Sequence, residues 1–173
     1  PVPCFQTTAR GLVHISDPAH SHQRLAHEAS RPPIATMSEA DHRIGRLRTH
    51  PGIGLLTALC LVHSLEPVSR FANTRKVTAY AGLDPVERSS AERQRFLGIS
   101  KGGSRVLRFL LVEAAHTTIR KDAGLRRFYQ RLAERHGRPK AKVAVSRKLL
   151  IRAYIMLRDE IDYAGFRRAA VAA

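Results

Sequence analysis

From Leu55 to Leu65 apolar residues follow one another almost without a break for about three helical turns, and Pro67 then stops the run. A stretch so evenly apolar is poorly suited to a surface helix and predicts one at the centre of a core. Before it, Ser38, Glu39 and Asp41 give an acidic start to a short helix in which Ile44 and Leu47 share a face. Residues 69–81 predict a further helix that offers Phe71, Val77 and Tyr80 to the core, after which Gly82 and Pro85 mark a loop. Ser104 is placed to cap the next helix, where Val106, Leu107, Leu110, Leu111 and Ala114 keep helical spacing. Leu125, Phe128, Tyr129 and Leu132 fit one helical stripe. Pro139 precedes a long helix to about residue 159, with Val143, Val145, Leu149, Leu150, Tyr154, Ile155 and Leu157 as its apolar faces. No segment alternates as a strand does, so the pattern predicts an all-α fold.

Residues 1–36 hold no period of helix or strand and are expected to be disordered. The chain then divides into 1–37, a disordered or out-of-frame segment; 38–160, a helical domain; and 161–173, a tail. The start at Pro1 instead of Met points to a fragment or a displaced reading frame. His14, His20, His22 and His27 lack carboxylate and cysteine companions, and Cys4 and Cys60 have no zinc spacing, so no metal site is expected in this chain. Cys60 reads as a small core residue, His63 as an ordinary helix residue, and a reducing cytoplasm as the setting.

Charge changes the picture more than composition does. Lys and Arg number 30 against 14 Asp and Glu, a formal +16, and the excess is uneven: residues 1–50 hold six basic and four acidic residues, 51–173 hold 24 and 10. The expected partner is a polyanion. Nucleic acid fits better than a membrane, because no apolar run approaches the ~18 residues a spanning helix needs. The basic part begins at Pro51-Gly52-Ile53-Gly54, which lies between two predicted helices as in a helix-hairpin-helix element. Gly52, Ile53 and Gly54 would there bring backbone N–H groups to a phosphate. The loop expected over 83–98 carries Arg88, Ser89, Ser90, Arg93, Gln94 and Arg95 with Glu87 and Glu92, and is where chemistry is expected. Lys101, Arg105 and Arg108 follow, the last two near a helix start, where cations oppose the helix dipole and so suggest an anion. Residues 120–148 add eleven Lys/Arg against Asp122 and Glu134, a block that a helical cap on the core would explain without a ligand.

The order and density of these segments carry a resemblance. Pro51-Gly-Ile-Gly with Leu55-Leu-Thr-Ala-Leu, Arg70-Phe71, Lys76, Tyr80-Ala-Gly-Leu83, Pro85, Glu87, Ser89-Ser90, Gly98-Ile-Ser-Lys101 with Gly103, Leu107-Arg108 and Leu110-Leu-Val-Glu-Ala-Ala115 resemble the C-terminal domain of insertion-sequence transposases of the 110/116/902 type. The likeness covers about 44–120, and 139–157 is similar to that family's closing helix. It implies a site-specific recombinase that moves an insertion sequence. In that family an N-terminal RNase-H-like domain holds acidic residues for a divalent metal such as Mg2+, and the C-terminal domain supplies a serine that attacks a DNA phosphate. A structured guide RNA and assembly of several identical subunits belong to the same implication. Nothing in 1–50 matches the spaced carboxylates of the first domain, so this chain alone is expected to bind nucleic acid without recombining it.

The resemblance assigns the nucleophile to Ser90, with Ser100 and then Ser89 as alternatives. Arg88, Arg93 and Arg95 become candidate phosphate contacts, since guanidinium forks match phosphate oxygens. Two positions depart from the family pattern: Ala91 stands where a glycine is usual and Ser104 where an asparagine is usual. A non-catalytic helix-hairpin-helix module of a repair or RNA-associated protein is the alternative that the residues leave open.

Overall fold

The computed structural model describes residues 41–90 and 93–172; the side chains of 87–97 and 170–172 are outside the description. The segment 1–37, its histidines, Cys4, Ser38 and the departure at Ala91 therefore lie outside the described residues. The described chain is mainly helical, in keeping with the pattern of its apolar positions, with one two-stranded sheet.

Helix α1 (His42–Arg48) is capped by Asp41, whose carboxylate accepts from the Arg43 N–H at 2.9 Å, and it buries Ile44 and Leu47 as expected. The Pro51–Gly54 turn leads into α2 (Leu55–Leu65), which buries Thr57, Ala58, Leu61, Val62 and Leu65. Leu56 on the same helix is 59% exposed, and Cys60 is half-buried beside the core instead of within it. The helix expected over 69–81 is shorter. A 3-10 turn (Val68–Arg70) comes first, and Asn73 then caps α3 (Thr74–Tyr80) by accepting from the Lys76 N–H at 3.1 Å. A side chain that satisfies an open helical N–H starts a new helix there.

The expected loop over 83–98 is a β-hairpin: β1 (Pro85–Ser90) pairs antiparallel with β2 (Arg93–Ile99). Helices α4 (Arg105–Lys121), α5 (Ala123–His136) and α6 (Arg138–Arg158) follow, capped by Ser104, Asp122 and Gly137 respectively. Within α4 the expected stripe buries Leu107, Leu111 and Ala114, while Val106 stays exposed. The expected tail holds a helix, α7 (Tyr163–Ala172), with Tyr163 and Phe166 against the core.

The centre of the fold is α6, not α2. Its 21 residues extend about 30 Å. Ala141, Val145, Leu149, Leu150, Ala153, Tyr154, Met156 and Leu157 are buried on more than one face, so α1, α3, α4, α5 and α7 all pack on it. Tyr154 is buried with its hydroxyl donating to the Phe71 carbonyl at 2.9 Å, which satisfies the one polar atom that the ring takes into the core. No helix of the described residues is long and apolar enough to cross a membrane.

Candidate functional site

The hairpin brings the serine and arginine candidates into register. Arg88 pairs with Arg95, Ser89 with Gln94, and Ser90 with Arg93. Strand positions two apart share a face, so Arg88, Ser90, Arg93 and Arg95 fall on one face of the ribbon, and Ser89 and Gln94 on the other. On the backbone lattice Ser90 lies opposite Arg93 and two positions from Arg88, and Ser89 lies opposite Gln94. Nearer the base the register slips by one residue between Pro85 and Glu87. Gly98 sits there at φ +53°, the left-handed conformation that a bulge of this kind asks of its extra residue. Among the described residues no helix packs along the hairpin, and Ile99 at its base is what reaches the core.

That base is clamped. The Ser100 N–H donates to the Asp84 carbonyl at 3.0 Å and the Lys101 N–H to the Gly82 carbonyl at 3.1 Å. The Ser100 hydroxyl donates to the Asp84 carboxylate. Gly103 lies so close to the Tyr80 carbonyl that a Cβ could not be added. Arg108 is half-buried across the junction, its Nη1 donating to the Gly103 carbonyl at 2.6 Å and the Ala81 carbonyl at 3.2 Å. It thus ties the base together, while Lys101 and Arg105 are exposed beside it. Ser104 caps α4 by accepting from the Leu107 N–H at 3.3 Å, so a serine suffices at this departure from the family pattern.

The Pro51–Gly54 turn joins two helices as expected, but much of it faces inward. Ile53 is 5% exposed and belongs to the core. Gly52 has φ +104°, and a Cβ there would meet the Thr118 side chain and stand 2.8 Å from the Ala114 carbonyl. The Pro51 carbonyl accepts from Thr118 Oγ1 at 2.9 Å and from His50 Nδ1 at 3.0 Å, which fastens the turn to α4. Gly54 alone is exposed with open space around it, at the start of α2.

Behind the turn lies a polar knot that the sequence did not single out. Asp122 Oδ2 accepts from Arg152 Nη1 at 2.7 Å and from the Tyr163 hydroxyl at 2.5 Å, while its Oδ1 accepts from the Leu125 N–H at 2.8 Å. Burial pushes this carboxyl up, but Tyr163, the Leu125 N–H and Arg152 together hold it well below the usual carboxylate range. His50 packs edge-on to Tyr163 at 4.4 Å between ring centres. It is 1% exposed, with Nδ1 used on Pro51 and Nε2 without a partner. Burial, then the nearby Arg152 charge, lowers its pKa to about 4. Asp122 followed by Ala-Gly-Leu is a legible helix cap; its bonds to residues 30 and 41 positions away are not.

Fold and site define a small, strongly basic helical domain bearing a serine–arginine hairpin on a clamped base. The family model described as Transposase IS116/IS110/IS902 matches residues 45–130, from α1 through most of α5, and the chain belongs to that family. Among curated relatives it is similar to the transposase for insertion sequence element IS1111A of Coxiella burnetii, at 33% identity over 66% of this chain and 33% of that protein. It is similar also to the transposase for insertion sequence element IS1328 of Yersinia enterocolitica, at 36% identity over 47% of this chain and 24% of that one. The pilin gene-inverting protein of Moraxella bovis is 31% identical over 70% of this chain and 38% of its own length. The chain thus spans between about a quarter and two fifths of the length of these relatives.

Proposed function

We propose that this domain binds DNA through the hairpin and its base, and supplies Ser90 as the nucleophile of site-specific recombination that transposes an insertion sequence. The observation that carries the reading is the strand register, which sets Arg88, Ser90, Arg93 and Arg95 on one face. Arg88 directly opposite Arg95 is a repulsive cross-strand pair, and an anion seated between them removes the penalty. A phosphodiester is such an anion. The Ser90 hydroxyl would attack phosphorus, giving its proton to water; an Oγ–P bond forms as the bond to the leaving deoxyribose oxygen breaks, and that oxygen takes a proton from water to leave as a hydroxyl. The ester keeps the phosphodiester energy for rejoining. Arg88, Arg93 and Arg95 would stabilise the charge that builds on the transferring group, with Lys101, Arg105 and the Gly54 end of α2 holding neighbouring phosphates. Arg108, engaged with two carbonyls, serves by fixing the base.

Among the described residues no three His, Cys, Asp or Glu side chains gather where a metal could sit. Acidic ligands for Mg2+ are proposed, from the family resemblance, for the part of the longer relatives that this chain does not match. A structured guide RNA, a homo-oligomeric assembly and a cytoplasmic location go with the same reading.

The test is covalent trapping. The domain, supplied with the N-terminal part of a full-length relative, is incubated with nicked duplex DNA, and protein–DNA adducts are resolved under denaturing conditions. Adducts should persist in Ser89→Ala and Ser100→Ala and vanish in Ser90→Ala. Adducts that survive Ser90→Ala overturn the assignment, and DNA binding without adducts in any variant favours the non-catalytic module.

A further inference from the structure

The hairpin leaves the basic block on α5 unused. Arg127, Arg131 and Arg135 recur every four residues and are exposed along α5, Arg131 and Arg135 lining one surface groove with the half-buried Phe128 and Leu132. Among the described residues none of the three takes part in an ion pair or a side-chain hydrogen bond. By contrast Arg126 beside them is engaged, donating through Nε to the Ile119 carbonyl at 3.2 Å and through Nη2 to the Arg120 carbonyl. Glu134 is the one acid on this face, and Arg138 continues the basic surface past the helix end. Like charges four apart repel along a helix, so the row is costly to the free domain and is relieved by a polyanion.

We propose that this face of α5 is a second DNA-binding surface, which grips the phosphate backbone of duplex DNA away from the hairpin without reading sequence. The row advances about 6 Å per arginine, some 12 Å from Arg127 to Arg135, and duplex DNA carries a charge for about every 1.7 Å of its axis. All three guanidiniums therefore meet phosphates at once. The two aromatic rings beside the row are poorly placed for a base to stack on: Phe128, in one groove with Arg131 and Arg135, is half-buried with the Lys148 ammonium 4.1 Å from its ring centre, and Tyr129 is half-buried. A single strand, which is held by stacking as well as charge, finds a poorer platform here than a duplex backbone does. The inference rests on the nucleic-acid reading above and adds to it a separate patch on a separate element.

The experiment compares the full chain with Arg127→Ala/Arg131→Ala/Arg135→Ala, by anisotropy of labelled 30-base-pair duplexes of unrelated sequence over a salt series. Loss of three phosphate contacts should lower the log–log salt slope by about 2–3 and weaken low-salt binding at least tenfold, equally on every duplex. Arg75→Ala/Arg167→Ala/Arg168→Ala, three exposed cations elsewhere, removes the same net charge and should leave most of the slope. An Arg→Gln version of the row checks that any loss does not come from misfolding. An unchanged slope in the row variant, or an equal loss in the control, overturns the proposal. So does a loss confined to RNA duplexes or single strands of the same length. If Arg88→Ala/Arg93→Ala/Arg95→Ala weakens binding and the row variant does not, this inference alone fails; if the unaltered chain binds no nucleic acid, the broader reading fails with it.

Discussion

Gly52 and Gly54 lie two residues apart in the same turn yet answer to different constraints. Gly52 combines φ +104° with contact against α4, so Gly52→Ala strains the backbone and also drives a methyl into Thr118 and the Ala114 carbonyl. A loss of about 3 kcal/mol is expected in urea unfolding. Gly54→Ala, with φ −84° and nothing within 4 Å, should cost under about 1 kcal/mol. His50 sets the pH response in the same region. Its pKa falls from 6.5 to about 4 on folding, so between those values the unfolded chain binds the extra proton. Its contribution is complete above pH 6.5 and is lost as the pH falls toward 4, at most about 3 kcal/mol. The groups that face it are Arg152, Asp122 and Tyr163, and Asp122 stays ionised through this window. Thermal melts from pH 7.5 to 4.5 should therefore show a decline that His50→Gln reduces; equal declines in both proteins would remove His50 as the cause.

At the scale of elements, Asp122 links three helices. One carboxylate caps α5, pairs with Arg152 of α6 and receives the Tyr163 hydroxyl of α7. Asp122→Ala leaves the Arg152 charge largely buried and unpaired, with an expected loss of about 3–5 kcal/mol. Tyr163→Phe keeps the pair and removes only the tether of α7, so amide exchange should quicken in α7 while α5 stays protected. Uniform quickening would mean that α7 does not open on its own. These joints also explain what was legible in advance. The stripes Ile44/Leu47, Leu107/Leu111 and Leu149/Leu150 announce helices because helical period and burial coincide there. The hairpin was hidden because both of its faces carry polar residues, Arg88 and Ser90 on one and Glu87 and Ser89 on the other, so no apolar alternation marks the strands. Gly98, the residue that makes its bulge, reads in sequence as part of a loop. Helix α7 was missed because its docking depends on Tyr163 meeting an aspartate 41 positions earlier. For the candidate site, sequence supplied the serines and arginines and the resemblance put Ser90 ahead of Ser89; the pairing of Ser90 with Arg93 and of Ser89 with Gln94 was not legible there.

For the molecule as a whole, a formal +16 on 173 residues means that folding gathers like charges. The five side-chain ion pairs among the described residues involve four arginines, Arg43, Arg46, Arg152 and Arg158, and leave the α5 row unneutralised. Salt therefore acts with opposite sign on stability and on binding. At about 0.1 M the screening length is near 10 Å and shortens to about 3 Å at 1 M, so repulsion along α5 and across the hairpin fades and the free domain should melt at higher temperature. Over the same range DNA affinity should fall steeply, because bound phosphates no longer release a condensed counterion layer into dilute solution. Melting and duplex binding measured in one NaCl series, 50 to 500 mM, should move in opposite directions. The row variant Arg127→Ala/Arg131→Ala/Arg135→Ala should flatten both trends together, since the charges that repel in the free domain are those that bind. If salt destabilises the free domain, or if the row variant alters binding without altering the salt response of melting, the basic face is not held at a cost to the fold, and the argument from repulsion to a polyanionic partner fails.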